Sequence, residues 1–566
     1  MTEDLTSRFV GEEYADFIVD YRAYPTIEEA FPGARIFYIN ETYAIIHFPV
    51  ASFSTAILRS RLLITPYLYT LASRVSIEAS DIQRIRSIPD FNLRGAGVLI
   101  GIIDTGINYT LPAFKNQEGR TKIRAIWDQT IQSGETHPFN TYFGTEYTAE
   151  QIDEALLAED PYSVVPSYDD DGHGTMLAGI AAGTENNEVD FAGVAPDSEL
   201  VIVKLIQAKR YIREFYSVPE GVICYQENSI MWGISYCFSL ARELNRPLAI
   251  CIGIGTSQSA HDGSAPLSQM LSRYADYPQV GVAVAAGNEG NLGRHYYGEI
   301  DPAVGSTTLE LFVGEEDKGF TMQLWGAGPG TYSVDILSPS GEYIPRIAAG
   351  INVKRKITFI FESTVINIEY QIIERASGDQ LIQFHFFNTL SGTWRFTVYL
   401  GGDLRGSFNI WLPMGNLISR ETRFLQPELY TTIITPGTAI IPITVTAYNP
   451  VNGALFVNAS RGYTRTNIIK PELAAPGVNY IAPALDGSYI NYTGTGVAAA
   501  HTTGIVALFL EWGVVRGNQP IFDTLEIKKY LIRGARRSAT LTYPNRDWGY
   551  GIIDVFNTFD VLRQSI

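Results

Sequence analysis

Three cysteines in 566 residues exclude a fold built on disulfides. Their number is odd, and Cys251 lies in the apolar run LAICIGIG. Cys224, Cys237 and Cys251 are therefore read as small buried apolar residues of a chain made in a reducing cytoplasm. Charge is also scarce. Asp, Glu, Lys and Arg make up 18% of the chain, and the balance is −18. Lys and Arg form no stripe, and an acidic chain gains nothing from phosphates, so nucleic acid is not an expected partner. No continuous apolar run reaches the ~18 residues of a membrane span, so no transmembrane segment is expected. The start, MTEDLTSRFVGEEYADF, is acidic and lacks the apolar core of an export signal. Internal repeats and low-complexity tails are absent. The histidines other than His173, namely His47, His137, His261, His295, His385 and His501, show no metal-ligand spacing. Asp169, Asp170 and Asp171 stand in a row, but the D-x-D-x-D-G loop of a calcium site is missing. A solvated loop is expected there, and neither metal nor cofactor.

What is present is apolar and rich in turns. Hydrophobic residues make up 46% of the chain, with 33 Tyr, 28 Phe and 51 Gly. That is enough for large cores, and the length suggests two to four domains. Residues 1–80 read as a small α+β unit: ADFIVDY and YAIIHFPV as strands, TIEEAFPG and SFSTAILRSRLL as helices. SIPDFNLRGAG is a turn-rich connector. From Val98 onward, continuous apolar runs alternate with helical spacing. VLIGII, LVIVKL, LAICIGIG and VGVAVAAGN are expected as buried parallel strands, and GHGTMLAGIAAG and NSIMWGISYCFSLAREL as helices. Between residues 300 and 428 the grammar changes to short strands with turns between them, from LELFV to SFNIWL. That is the pattern of an antiparallel sandwich or jelly roll. The α/β pattern resumes at AIIPITVTAYNP and runs into VAAAHTTGIVALFLEWG and TLEIKKYLIRGAR. The expected layout is 1–80, an α/β core in two parts, 81–299 and 429–566, and an inserted β-domain at 300–428.

Three short motifs carry chemistry. IIDTGI places Asp104 at the end of a strand. DGHGTMLAG places His173 at the start of a helix. YTGTGVAAAHTTGIVAL places Gly496 where another helix opens. Taken singly, Asp104 caps a turn and His173 is a satisfied core histidine. Taken in this order, with AAGNEG around Asn288, RGYT, KPELAAPG and WGYGIIDV, they resemble the subtilase family over roughly residues 85–300 and 429–566.

The resemblance implies a subtilisin-like parallel sheet flanked by helices, with an N-terminal prodomain. It implies Asp104 as the residue that orients His173, His173 as general base, and Asn288 as oxyanion donor. It makes Gly253, Ile254 and Gly255 the edge of the groove that receives the residue before the cut. At Gly496 the family's serine nucleophile is missing, while the backbone N–H remains. Thr495 is the nearest hydroxyl, but one residue of offset at a helix start turns it away from the serine's direction. A natural glycine is readily accommodated at such a helix start. His501, in the following helix, is read as structural.

YADFIVDY, LRGAGVLIGIIDTGINY, FKNQEGRTKIRAIWDQT and SAHDGSAPLSQ are similar to the clostridial Csp group, the subtilisin-like proteins of spore germination. That resemblance covers nearly the whole chain. It implies a jelly roll between the oxyanion asparagine and the nucleophile position, and a prodomain that plugs the cleft. It implies a location in the spore, in the cortex or coat region. Partners would be an active Csp protease or the zymogen of a cortex hydrolase. Active members cut that zymogen; members lacking triad residues regulate germination. Gly496 places this chain with the latter, and the alternative is an inactivated copy of a working endopeptidase. Without self-cleavage, residues 1–80 should stay attached, with Ser80 to Pro89 in the cleft.

Overall fold

A computed structural model describes residues 6–24, 26–32, 34–52, 64–74, 92–132, 137–138, 141–351 and 353–564. Its centre is an eight-stranded sheet. In spatial order the strands are Leu473–Pro476, Ile443–Tyr448, Val280–Ala285, Leu248–Ile252, Leu99–Asp104, Glu199–Lys204, Ile123–Asp128 and Thr145–Thr148. The first seven run parallel; Thr145–Thr148 is antiparallel to its neighbour and closes one edge. The two strands at that edge, and Leu473–Pro476 at the other, lack a long apolar run and are not evident from the sequence.

The continuous apolar runs exist because both faces of the sheet are covered. In Leu99–Asp104, Ile100 and Ile102 join the cluster that contains Met176, Leu177 and Val497. Leu99 and Ile103 join the opposite cluster, with Ile230, Met231 and Leu267. The first face is covered by helices His173–Ala182 and Thr495–Leu510, the second by Glu227–Glu243 and Pro266–Ala275. Each segment read as a core helix or strand takes that form. The segment Thr495–Val515 is long and apolar enough, by length and composition, to cross a membrane, and 89% of its most apolar 18-residue window is buried. Gly, Thr and His interrupt it, so it forms no continuous apolar run in the sequence. It is the central helix of the core.

The N-terminal unit carries an antiparallel sheet, Tyr14–Asp20, Tyr43–Pro49 and Arg35–Tyr38, with the middle strand of the chain order at the edge. One face, with Ile18, Phe37 and Ile45, packs into the cluster that holds Met231 and Tyr236. The other face closes over Ile27 of the short helical turn Ile27–Ala30 and over Phe31, which caps it. A buried polar hub ties the unit to the core. Asp16 bonds Lys209 Nζ at 2.7 Å and accepts from Gln226 and Asn228, while His47 Nδ1 lies 3.0 Å away. The helix read at SFSTAILRSRLL falls outside the described residues, apart from Ser52.

The inserted domain is a sandwich of two antiparallel sheets, of six and five strands, running from His295 to Phe424. Gly392–Gly401 alternates buried and exposed residues, as a strand with one face on a core must. Arg465 of the α/β core clamps the sandwich. Its guanidinium meets Asp262 of the core at 3.0 Å and Asp379 of the sandwich at 2.5 Å.

Candidate active site

Asp104 ends the central strand, where the sheet's carboxyl edge opens. Its Oδ1 accepts from the N–H of Thr105 and lies 2.7 Å from His173 Nδ1. His173 opens its helix after Gly172, whose φ of +94° gives the turn a left-handed residue. The helix start is held by Asp169, which accepts from the N–H groups of Asp171, Gly172 and Thr175 and from the Thr175 hydroxyl. Asp169 is therefore a buried anchor and not part of a solvated loop, whereas Asp170, paired with Lys204, and Asp171 are exposed. Gly174 must be glycine, because a Cβ there meets the carbonyl oxygen of Gly106 at 2.2 Å. Burial pushes the His173 imidazole down, but the charge and hydrogen bond of Asp104 outweigh it and leave the imidazole above its ordinary value. Its Nε2 is buried and has no hydrogen-bond partner among the described residues.

Two donors, distant from each other in sequence, converge on one oxygen. Asn288 follows strand Val280–Ala285, and its Oδ1 accepts from the backbone N–H and hydroxyl of Thr495, at 3.1 and 3.0 Å. The same hydroxyl accepts from Gly287 N–H. Held in this way, Asn288 aims Nδ2 outward. The N–H of Gly496, in the first turn of the Thr495–Leu510 helix, joins it. Both donate to one oxygen, the carbonyl of Ala72, at 2.5 and 3.2 Å. The arrangement is an oxyanion cradle filled by a peptide carbonyl of the same chain.

The segment that delivers this carbonyl forms the middle of two antiparallel pairings. Leu68 and Tyr69 pair with Gln226 and Tyr225; Thr70 and Leu71 pair with Gly255 and Ile254. Ala72 N–H donates to Gly253 O at 3.1 Å. Beyond it, Ser73–Arg74 pairs with Gly494 and Thr493. Gly253, Ile254 and Gly255 thus form one wall of the groove through their backbones. Side chains are excluded there: a Cβ on Gly253 meets Leu177 at 2.6 Å, and one on Gly255 meets Ile434 at 2.2 Å.

Asp104 pairs with His173, and Asn288 and the Gly496 N–H meet at the Ala72 carbonyl. Thr495 is occupied in orienting Asn288. The segment Ser80 to Pro89 lies outside the described residues; the stretch found in the groove is Leu68–Arg74. Sequence reading missed this stretch, because PYLYTLASR carries no motif and its strand forms only against the groove. His501 is buried in the central helix beside the Tyr480 hydroxyl, and burial pushes it down to about 3.

The model of the subtilase family matches residues 95–309 and 415–551. The chain belongs to the subtilase family. The gap in that match falls within the β-sandwich. Among curated relatives of this subtilase, a subtilisin-like protease of Arabidopsis thaliana, SBT3.4, is 24% identical over 82% of the chain. The subtilisin-like protease PopC of Myxococcus xanthus is 26% identical over 35% of it. The chain spans 63% and 34% of the lengths of these relatives. Among solved structures, the Clostridium perfringens CspB protease is 32% identical, with a TM-score of 0.76 over 86% of this chain and 98% of that one.

Proposed function

We propose that this subtilase is a non-catalytic member of the Csp group, acting in spore germination by binding partners, with its N-terminal unit retained as an uncut prodomain. The observation that carries the reading is Gly496. Its N–H sits in the cradle, His173 Nε2 has no hydrogen-bond partner among the described residues, and Thr495 is engaged elsewhere. Losing a triad serine costs about 10⁶-fold in turnover, and water attack alone is too slow to serve a germinating spore. The similarity to CspB over nearly the whole chain supports the germination role. An active Csp protease or a cortex-hydrolase zymogen is the proposed partner, and the spore the proposed location. Purified full chain, incubated and weighed by intact mass spectrometry, should stay whole. Release of a fragment ending at Ala72 from pure protein would sink the reading. A pull-down from spore extract then identifies the partner.

A second reading is favoured by the state of the rest of the site. The Asp104–His173 bond and the Asn288 cradle are both assembled, as expected of an endopeptidase that lost its serine recently or by design. Restoring the hydroxyl with Gly496→Ser separates the two: prompt self-cleavage favours the inactivated protease, and a silent variant favours long adaptation to binding.

A further inference from the structure

Glu227 opens the helix Glu227–Glu243 and is fully buried beneath the groove segment. Its carboxylate accepts three hydrogen bonds. Leu267 N–H donates from the core at 3.0 Å; Tyr67 N–H and the Tyr69 hydroxyl donate from the groove segment at 3.3 and 3.4 Å. Its own N–H returns a bond to Tyr67 O. Two of the three donors to a buried carboxylate therefore belong to the bound strand. Tyr69 is itself fully buried, three residues before Ala72. The other polar contacts of the strand go to neutral groups: Leu68 N–H to Gln258 Oε1 and the Thr70 hydroxyl to Ile223 O. Only Tyr69 and Tyr67, among the described residues of the segment, meet a titratable side chain.

We propose that Glu227 is the specificity-determining residue of the groove, selecting extended peptides that carry tyrosine three residues before the residue whose carbonyl enters the cradle. The proposal rests on the reading above, in which the groove binds peptide and does not cut it. Phenylalanine at that position leaves the carboxylate one donor short in a place water does not reach, so tyrosine should be favoured by about tenfold. Aspartate or glutamate there is repelled. A partner that displaces residues 68–74 must present the same pattern.

The carboxylate also makes the grip depend on pH. Burial pushes Glu227 up to about 7, against the pull of its three donors. The groups that act on it are the phenols of Tyr43, Tyr67, Tyr69 and Tyr216, all held protonated by burial at neutral pH. Asp262 and Glu374 act on Tyr67 behind them. Among the described residues no lysine, arginine or histidine pairs with Glu227. When the segment leaves, water reaches the carboxylate and its proton is lost more readily. The closed groove therefore holds a proton that the open groove releases. Its extra stability is full below the ordinary carboxylate range and is lost as pH rises toward 7.

Amide hydrogen exchange of the full chain, read on peptides covering residues 68–72 and corrected for intrinsic rates, tests this. The parent should protect these amides, and about tenfold less at pH 8 than at pH 5.5. Tyr69→Phe should lower protection about tenfold at pH 8 and less at pH 5.5, where the carboxylate is protonated. Glu227→Gln should flatten the pH dependence, and Tyr69→Phe added to it should cost clearly less than in the parent. Additive effects with an unchanged pH profile overturn the proposal. If Glu227→Gln does not fold, Tyr69→Phe decides alone: an equal loss at both pH values overturns it. Unprotected amides in the parent would instead mean that the groove is not occupied, so the underlying reading fails separately.

Discussion

The side-chain amide of Asn288 donates to the carbonyl oxygen of Ala72 at 2.5 Å, and Thr495 holds the other end of that amide. The residue next to the missing nucleophile therefore shapes the cradle. Its hydroxyl has two partners, Asn288 and Gly287, and neither is compatible with attack on a substrate.

Restoring chemistry should reveal the register. If Gly496→Ser regains self-cleavage, the cut should fall between Ala72 and Ser73, giving a new N-terminus at Ser73 by terminal sequencing. Adding Asn288→Ala should slow that cut by about 10²–10³-fold, the usual effect of losing one oxyanion donor. Adding His173→Ala should abolish it. A cut elsewhere would show that a different carbonyl occupies the cradle.

Thr495→Val keeps the volume and removes the hydroxyl. Gly287 N–H loses its acceptor in buried surroundings, and the half-buried Asn288 loses one of two donors. The expected loss is about 1–3 kcal/mol in denaturant unfolding. Thr495→Ser should recover most of it, since the oxygen returns.

Acid should loosen the N-terminal unit. Burial works against ionised Asp16, but Lys209 and His47 outweigh it and hold the carboxyl down at about 2, against an ordinary 3.8. A depressed carboxyl adds stability above its ordinary value and loses it as pH falls through the folded one, here between about 4 and 2. His47 acts in the same direction: burial holds it below its usual range despite Asp16, so protonation below pH 6.5 costs docking. Lys209→Met strands a buried carboxylate and should cost about 3–5 kcal/mol. The measurement is proteolysis of the N-terminal unit against pH, compared between the parent and Lys209→Met.

Arg465→Ala should unclamp the sandwich. It leaves Asp262, in the core, and Asp379, in the sandwich, without their shared cation, and Ala260 O without the Nε donor. A loss of about 2–4 kcal/mol is expected, because breaking one side of a buried pair strands the other. It should appear as earlier unfolding of the sandwich in hydrogen exchange, with the Asp104–His173 region unchanged.

Much of the core was legible in the chain. Buried parallel strands such as Leu99–Asp104 read clearly because both of their faces are apolar. Edge strands such as Thr145–Thr148 did not, since half of their residues face water and no long run forms. Asp104, His173, Asn288 and Gly496 were legible because each lies in a short motif whose glycines are demanded by local crowding, as at Gly174. The groove segment was not. Leu68–Leu71 is held by ladder bonds on both sides, and backbone bonds leave almost no mark on side-chain choice.

The amino-acid sequence by itself determined which side chains stand at the triad positions, that one of them is glycine, and that a two-faced sheet carries them. These are properties of local pattern and residue type. Tertiary structure decided which carbonyl the cradle holds and which residue reads Tyr69. Ala72 meets Asn288 across 216 residues, and Tyr69 meets Glu227 across 158. Contacts at that separation follow from how the N-terminal unit docks, and no local periodicity records them.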